Sequence, residues 1–158
     1  MRGLSASALV LKRPSSPWLV ATAVLVADAL TKMAAQSAWS TREVAAGPLT
    51  FHLTGNSGLS FSWFASTPAL GVTLVLALFA LVLFLSLRAQ PGWPALGCGL
   101  VVGGAMGNAA DRIGLASHQV VDFIAVGDLF VCNIADVAIT IGVIVLGVHL
   151  LRGQSLTR

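Results

Sequence analysis

The sequence predicts an all-α integral membrane protein with four transmembrane helices and a small extracytoplasmic cradle and loop of β-like character. Hydrophobic residues make up 56% of the 158 residues, whereas charged residues make up only 9%. A soluble domain contains about 25% charged residues, and one soluble core could not bury this much apolar surface. The apolar residues also fall into four long stretches. Together these observations make the lipid bilayer the expected solvent.

The four apolar stretches have lengths that suit a membrane crossing. They are residues 18–33, 68–87, 93–110 and 134–151. About 20 helical residues cross a hydrocarbon core of about 30 Å, and a helix satisfies its own backbone hydrogen bonds in lipid. A short segment with Pro91 and Gly92 separates the second stretch from the third and predicts a tight turn. The expected architecture is therefore an up-and-down bundle.

The positive charges predict the orientation of this bundle. Six basic residues lie on the side that holds both termini and the tight turn: Arg2, Lys12, Arg13, Arg88, Arg152 and Arg158. Because basic residues favour the cytoplasmic side, we expect both termini there. All six acidic residues fall toward the other side: Asp28, Glu43, Asp111, Asp122, Asp128 and Asp136. The polar chemistry is therefore expected at the outer face.

The first apolar stretch has an alternative interpretation as a cleaved signal peptide, because basic residues precede it and small residues follow it. Asp28 and Lys32 interrupt the stretch, which favours a retained first span. These two residues lie four apart on one helical face. They are expected to form an ion pair in low dielectric, to structure a polar site between helices, or to do both.

The two outer connections are expected to form a lid or cradle over the helix ends. Residues 36–67 include Trp39 and the alternating Leu49, Phe51 and Leu53, which are typical of a short strand or hairpin. Residues 113–133 also mix apolar and polar side chains.

The third apolar stretch combines a packing face with a polar end. Its glycine stripe consists of Gly99, Gly103 and Gly107, at a spacing that allows close approach of another helix. The stripe leads into Asn108, Asp111 and Arg112, at helical positions i, i+3 and i+4. These polar residues either cap and anchor the helix or contribute to a site beside its neighbours.

Asp122 and Asp136 are the most informative acids. Asp122 lies within an apolar, strand-like run, and Asp136 follows Asn133 in the first turn of the fourth helix. A single acid at a helix start can simply complement the helix dipole. If the two carboxyl groups meet, repulsion and desolvation favour a shared proton, so that one acts as general base and the other as general acid. Sequence separation alone does not establish that they meet.

Taken in order, several motifs resemble those of the lipoprotein signal peptidase (signal peptidase II) family over about residues 18–150. The motifs are Asp28-Ala29-Leu30-Thr31-Lys32, Asn56-Ser57-Gly58-Leu59-Ser60-Phe61, Gly103-Gly104-Ala105-Met106-Gly107-Asn108-Ala109-Ala110-Asp111-Arg112, Val120-Val121-Asp122-Phe123-Ile124 and Asn133-Ile134-Ala135-Asp136. Their combination is specific, although each motif alone is weak. The chain departs from the family pattern at Cys132, where Phe is usual, and at Phe130, where Pro is frequent.

The resemblance implies that Asp122 and Asp136 are a catalytic dyad. It implies a substrate site lined by Asn56, Gly107, Asn108, Arg112, Asn133 and Ala135. Asp28, Lys32 and Asp111 are expected to support that site. The predicted domains are a cytoplasmic N-terminal tail (1–17), a four-helix membrane protease domain (18–151) and a cytoplasmic C-terminal tail (152–158).

The family resemblance also implies a substrate and a location. The family removes the signal peptide from diacylglyceryl-modified prolipoproteins, cleaving before the lipidated cysteine, and is blocked by globomycin. The expected location is the bacterial cytoplasmic (inner) membrane, with membrane lipids around the protein. No cofactor or metal is expected for aspartic hydrolysis. The scattered basic residues behind the net charge of +3 give no support for nucleic acid as a partner.

Three other hypotheses remain at this point. Gly55-Asn56-Ser57-Gly58 resembles the nucleophile motif of rhomboid serine proteases, but that family has more spans and needs a histidine base near Ser57. We interpret His118 as a loop residue without a catalytic role. Intramembrane Asp and Lys also occur in transporters, which place polar groups at several depths. A structural or assembly protein fits the glycine stripe but leaves the outer polar cluster unexplained.

Overall fold

The computed structural model describes residues 16–56, 68–114 and 119–157. Within these ranges it contains four helices and four strands: α1 (Pro17–Trp39), β1 (Val44–Ala46), β2 (Leu49–Asn56), α2 (Pro68–Arg88), α3 (Trp93–Gly114), β3 (Val120–Val126), β4 (Phe130–Cys132) and α4 (Ile134–Leu151). Several residues used in the sequence-based predictions lie outside the described ranges: Arg2, Lys12, Arg13, Ser57, His118 and Arg158.

Each predicted apolar stretch forms a helix. α1 begins where the Ser16 side chain accepts a hydrogen bond from the Trp18 N–H, and it continues past Met33 to Trp39. α3 likewise continues to Gly114, so the polar residues after the glycine stripe are helical. By length and apolar composition, α1 and α4 are suited to crossing a membrane, and Ala77–Arg88 within α2 is a shorter apolar helix.

α3 is the central helix because its glycines allow α1 and α4 to pack closely on either side. A Cβ atom on Gly103 would lie 2.6 Å from the Ala21 carbonyl oxygen of α1. A Cβ atom on Gly97 would lie 2.7 Å from the Leu146 side chain of α4. The prediction that the glycine stripe packs against another helix is thus confirmed. Gly97, which is outside the stripe, allows α4 to approach α3 closely as well.

The turn between α2 and α3 also holds the C-terminal segment. Gly92 adopts φ +100°, a left-handed conformation that glycine accepts without strain and that reverses the chain before α3. The Gln90 N–H donates to the Leu156 carbonyl oxygen at 3.0 Å. Leu156 is buried in the apolar core beside Val102 and Leu146. Leu156 and Thr157 therefore pack against the bundle after α4 ends, whereas residues 153–155 are exposed.

The strands form one antiparallel sheet in the order β1-β2-β3-β4. The alternating residues around Phe51 lie in β2, as the prediction of a short strand or hairpin expected, and β2 pairs with β1 as a hairpin. β2 pairs with β3 and changes register between Phe51 and Thr54, and this irregularity places Thr54 opposite Asp122. The sheet contacts both α1 and α3. It therefore forms the cradle expected from the outer connections, to which β3 and β4 contribute more regular structure than the sequence indicated.

We expect Gly103→Ala to destabilise the bundle. Its methyl group would be forced against the α1 backbone, and such overpacking costs about 1–3 kcal/mol. Gly147→Ala in α4 is the matched control, because a Cβ atom there has nothing within 4 Å and alanine favours helix. Thermal unfolding in detergent measures both changes. An unchanged Tm for Gly103→Ala would contradict the close packing of α1 and α3.

Candidate active site

A buried ammonium group lies between α1 and α3. The Lys32 Nζ is 2.7 Å from Asp28 Oδ2 and 2.7 Å from Asp111 Oδ2, and it donates to Asn108 Oδ1 at 3.2 Å. Lys32 is only 4% exposed, yet each of its three N–H donors has an acceptor. A charge at this depth requires such compensation. The predicted ion pair is therefore one part of a larger polar cluster, as the second interpretation expected.

The two carboxylates beside Lys32 also hold the backbone of neighbouring elements. The Val121 N–H of β3 donates to Asp111 Oδ2 at 3.1 Å, and the Ala135 N–H of α4 donates to Asp28 Oδ1 at 3.0 Å. Gly107 leaves room for this arrangement, because a Cβ atom there would lie 2.5 Å from Asp28 Oδ2. The ion cluster consequently fixes β3 and the start of α4 relative to α1 and α3.

Two asparagines present their amide hydrogens to the two candidate catalytic acids. The side-chain oxygen of Asn108, Oδ1, accepts hydrogen bonds from Lys32 and Asn133. This turns the Asn108 Nδ2 toward Asp136 Oδ1, which lies 2.8 Å away. The side-chain oxygen of Asn133, Oδ1, accepts a hydrogen bond from the Asp136 backbone N–H at 3.0 Å. This turns the Asn133 Nδ2 toward Asp122 Oδ1, which lies 2.6 Å away. One hydrogen-bonded network therefore connects Asp122 to Asp136.

Asp136 occupies the third position of α4 in a capping box. Its Oδ2 accepts the Asn133 N–H at 3.2 Å while the Asn133 side chain accepts the Asp136 N–H. This position places the carboxylate near the positive end of the helix dipole. The expected dipole role is present, and the bond to Asn108 shows that Asp136 also belongs to the polar cluster.

Asp122 is more deeply enclosed than Asp136. It is 1% exposed, and Asn56 Nδ2 donates to its Oδ2 at 2.9 Å. Burial raises the pKa of Asp122, the Asn56 hydrogen bond opposes this rise, and the negative charge of Asp136 adds to it. Both carboxyl groups bind the hydrogen-bonded Asn133–Asn108 pair, which keeps them close enough to interact electrostatically. This geometry suits a pair of acids that divides proton donation and acceptance.

Cys132 lies directly before the network and responds to the same charges. Burial, followed by the charges of Asp136 and Asp122, raises the pKa of its thiol to about 11. The thiol is therefore protonated at neutral pH and is a poor nucleophile. Cys132 is half-buried and Cys98 is fully buried, and both are free thiols.

The remaining predicted site residues also lie at this junction. Arg112 donates from Nη1 to the Asn108 backbone carbonyl oxygen at 3.3 Å, and Ala135 contributes its backbone N–H. The sequence did not reveal the role of the Val121 backbone, whose carbonyl oxygen also accepts from Asn133 at 3.3 Å. Such main-chain contacts have no side-chain signature, so no sequence motif identifies them.

Trp39 connects the end of α1 to the sheet. Its ring stacks on Phe51 of β2 at a centroid distance of 5.0 Å and lies 5.8 Å from Phe123 of β3. Phe123 is the neighbour of Asp122, so this aromatic cluster supports the strand that carries the acid. The expected lid residues Trp39 and Phe51 are therefore packed against each other where α1 meets the sheet.

Comparison with known proteins places this site in a family. A family model described as Signal peptidase (SPase) II matches residues 20–152, which include the ion cluster and both acids. The chain belongs to the signal peptidase II family. This membership confirms the resemblance drawn from the motifs.

Curated relatives of signal peptidase II type support the assignment. A lipoprotein signal peptidase from Rhodococcus jostii is 35% identical, with 86% of this chain and 72% of the relative covered. The Mycobacterium leprae enzyme of the same name is also 35% identical, over 80% of this chain and 67% of the relative. A Nitrobacter hamburgensis relative is 40% identical, but the match spans only 63% of its length and 60% of this chain.

Two solved structures described as bacterial membrane enzymes share the fold. One has a TM-score of 0.71 over 89% of this chain and 92% of the other, and the second has a TM-score of 0.69 over 89% and 96%. Each is 24% identical to this chain, so the likeness establishes the architecture of helices and small sheet.

We expect Asp122→Asn to gain stability relative to the wild type as the pH rises. Because burial raises the pKa of Asp122 above its ordinary 3.8, folding favours the protonated carboxyl group. That stabilisation is complete below about pH 4 and is lost as the pH rises through the folded-state pKa. Asparagine does not titrate and contributes only a constant offset. Denaturant unfolding in detergent, repeated between about pH 4 and pH 7, measures the difference. A difference that stays constant, or moves in favour of the wild type, would contradict a raised pKa.

Proposed function

We propose that this chain is an intramembrane aspartic endopeptidase that removes the signal peptide from diacylglyceryl-modified prolipoproteins, cleaving before the lipidated cysteine. The observation that carries the proposal is the network in which Asn133 and Asn108 join Asp122 to Asp136. Membership of the signal peptidase II family supports a peptidase over the transporter, assembly-protein and rhomboid hypotheses. The substrate follows from what the family resemblance implies.

In the proposed mechanism, the two acids hold a water molecule beside the scissile peptide bond. One carboxylate takes a proton from this water as its oxygen attacks the peptide carbonyl carbon. The other acid protonates the carbonyl oxygen, and the tetrahedral intermediate then breaks its C–N bond as the amine leaves protonated. The enclosure of Asp122 and the helix-start position of Asp136 give the two acids different environments, as acid–base division requires.

The surrounding residues fall into three proposed roles. Asn108 and Asn133 orient the acids. The side-chain oxygens of both asparagines already accept hydrogen bonds within the protein, so their Nδ2 groups face the acids. Asp28, Lys32 and Asp111 support this arrangement through the buried ion cluster. Substrate contacts are assigned to the following residues of the motifs: Asn56, Gly107, Asn108, Arg112, Asn133 and Ala135.

We propose that all four helices cross the bacterial cytoplasmic membrane, with the site at its outer face. Residues 1–17 and 152–158 would then be cytoplasmic tails on either side of a membrane protease domain spanning 18–151. The basic Arg88 and Arg152 at the ends of α2 and α4 support this orientation. Lipid surrounds the helices in this arrangement, and the lipidated substrate approaches sideways from the bilayer. Globomycin-type compounds are the expected inhibitors.

We expect Asp122→Asn and Asp136→Asn each to abolish cleavage of a diacylglyceryl-modified prolipoprotein by the purified protein. Each substitution removes one partner of the acid–base pair, and loss of such a group costs at least about 10²–10⁴-fold in rate. Cleavage is followed by gel mobility and by mass spectrometry of the released signal peptide, with folding checked by thermal unfolding.

Asp128→Asn is the matched control for these two variants. Asp128 lies in the same sheet region, in the exposed turn between β3 and β4, and is outside the network that joins the two acids. It should retain wild-type activity. Full activity in either dyad variant would overturn the aspartic mechanism, and an inert wild type would overturn the proposed activity itself.

A further inference from the structure

Thr54 lies directly opposite Asp122 in the sheet and is not part of the asparagine network that joins the two acids. The register of β2 and β3 pairs Thr54 with Asp122 and Asn56 with Val120. Residues directly opposite each other in an antiparallel pair present their side chains to the same face of the sheet, with Cβ atoms about 4.5–5.5 Å apart. Thr54 is therefore the cross-strand neighbour of the acid.

The hydrogen bond from Asn56 to Asp122 identifies this face of the sheet as the one that carries the site. Asn56 follows Thr54 by two residues, and side chains two apart on a strand point to the same face. Asn56 Nδ2 lies 2.9 Å from Asp122 Oδ2, so a contact as well as the register supports the shared face. Thr54, Asn56 and Asp122 thus form a polar triangle on one face of the sheet.

The Thr54 hydroxyl group is available to a substrate. Within the part of the chain that the structure describes, this hydroxyl bonds to no other protein group, and the residue is half-buried. The Thr140 hydroxyl, by contrast, donates to a backbone carbonyl oxygen of its own helix. The oxygens of Asp122 each accept an amide hydrogen, Oδ1 from Asn133 and Oδ2 from Asn56. The acid is thus already oriented, whereas the hydroxyl beside it still has one donor and two acceptor sites to offer.

A hydrogen-bond donor beside Asp122 suits the carbonyl oxygen of the scissile bond. In the proposed mechanism one acid protonates that oxygen, so the oxygen must lie within reach of a carboxyl group. Asp122 is only 1% exposed, and enclosure favours the protonated form that can deliver this proton. The oxygen gains negative charge as the tetrahedral intermediate forms. A fixed donor aimed at it therefore stabilises the transition state more than the bound substrate.

We propose that Thr54 is a further substrate-contacting residue, whose hydroxyl donates a hydrogen bond to the scissile carbonyl oxygen while Asp122 protonates it. The inference rests on the proposed function and adds a residue that precedes the motif beginning at Asn56. As the water oxygen attacks the carbonyl carbon, Asp136 takes a proton from the water and Asp122 gives its own proton to the carbonyl oxygen. Thr54 keeps its proton throughout and stabilises the charge on that oxygen until the transfer is complete.

Four threonine variants test this role. Thr54→Val and Thr54→Ala both remove the hydroxyl, and valine also keeps the branched shape that favours a strand. Thr54→Ser keeps the hydroxyl. Thr50→Val is the matched control, because Thr50 lies in the same strand but pairs with Ala125, about 10 Å along β3 from Asp122 at the rise of a strand. The kcat and KM for cleavage of a diacylglyceryl-modified prolipoprotein peptide are measured in detergent, and thermal unfolding checks the fold of each variant.

Removal of the hydroxyl should lower kcat and leave KM nearly unchanged. Thr54→Val and Thr54→Ala should each lose about ten- to hundredfold in kcat, because the missing hydrogen bond forms mainly to the charged oxygen of the transition state. Thr54→Ser should stay within about threefold of the wild type, and Thr50→Val should match it. The loss of kcat/KM should be the same between about pH 4 and pH 8, because the hydroxyl does not titrate in that range.

Several outcomes would overturn the role of Thr54 and leave the peptidase activity established. They are a wild-type kcat in the valine and alanine variants, an equal loss in Thr54→Ser or Thr50→Val, and a raised KM at unchanged kcat. A shifted acidic limb of the kcat/KM profile would also overturn it. Such a shift would show that the hydroxyl bonds to Asp122, because removing a donor to a carboxylate raises its pKa. If the wild type cleaves no lipidated peptide, the proposed function fails, and the role of Thr54 fails with it.

Discussion

The Lys32 ammonium group, buried between two carboxylates and an amide oxygen, determines where the other polar residues of the site can lie. Burying a lysine is unfavourable unless its charge and its donors are satisfied, and here Asp28, Asp111 and Asn108 satisfy them. Each of these three residues also binds a second element. Asp28 holds the first turn of α4, Asp111 holds β3, and Asn108 reaches Asp136. The ion cluster therefore positions both elements that carry the candidate catalytic acids.

The short connection through β4 and the buried Asn133 bring the two candidate catalytic acids to one site. Asp122 belongs to a sheet and Asp136 to a helix, and β4 brings the chain from one to the other. Asn133 is fully buried at the join, where it caps α4 and binds Asp122 with the same side chain. The side-chain oxygen of Asn133 thus binds α4, whereas its side-chain nitrogen binds β3. Fixed amide orientation gives the two acids a defined environment before any substrate arrives, which is the preorganisation that catalysis requires.

The sequence predicted the helices well because membrane-length apolar stretches are a strong and local signal. The Asp28–Lys32 pair and the helical Asn108–Asp111–Arg112 cluster were likewise predicted from spacing within one element. Contacts between elements were not predictable in this way. The hydrogen bond from the Ala135 N–H to Asp28 joins residues 107 apart, and its donor is backbone. The pairing of β3 with β2 likewise depends on a register change that no residue type indicates.

We propose that Asp122 and Asp136 act as one catalytic unit, and a double-variant cycle measures whether they do. The residual kcat/KM on a lipidated prolipoprotein peptide is measured for Asp122→Asn, Asp136→Asn and the double variant. If both acids serve the same proton transfers, replacing the second acid lowers kcat/KM almost no further. The kcat/KM of the double variant should then match that of the less active single variant within about twofold. Losses that multiply would show independent roles and contradict the claim.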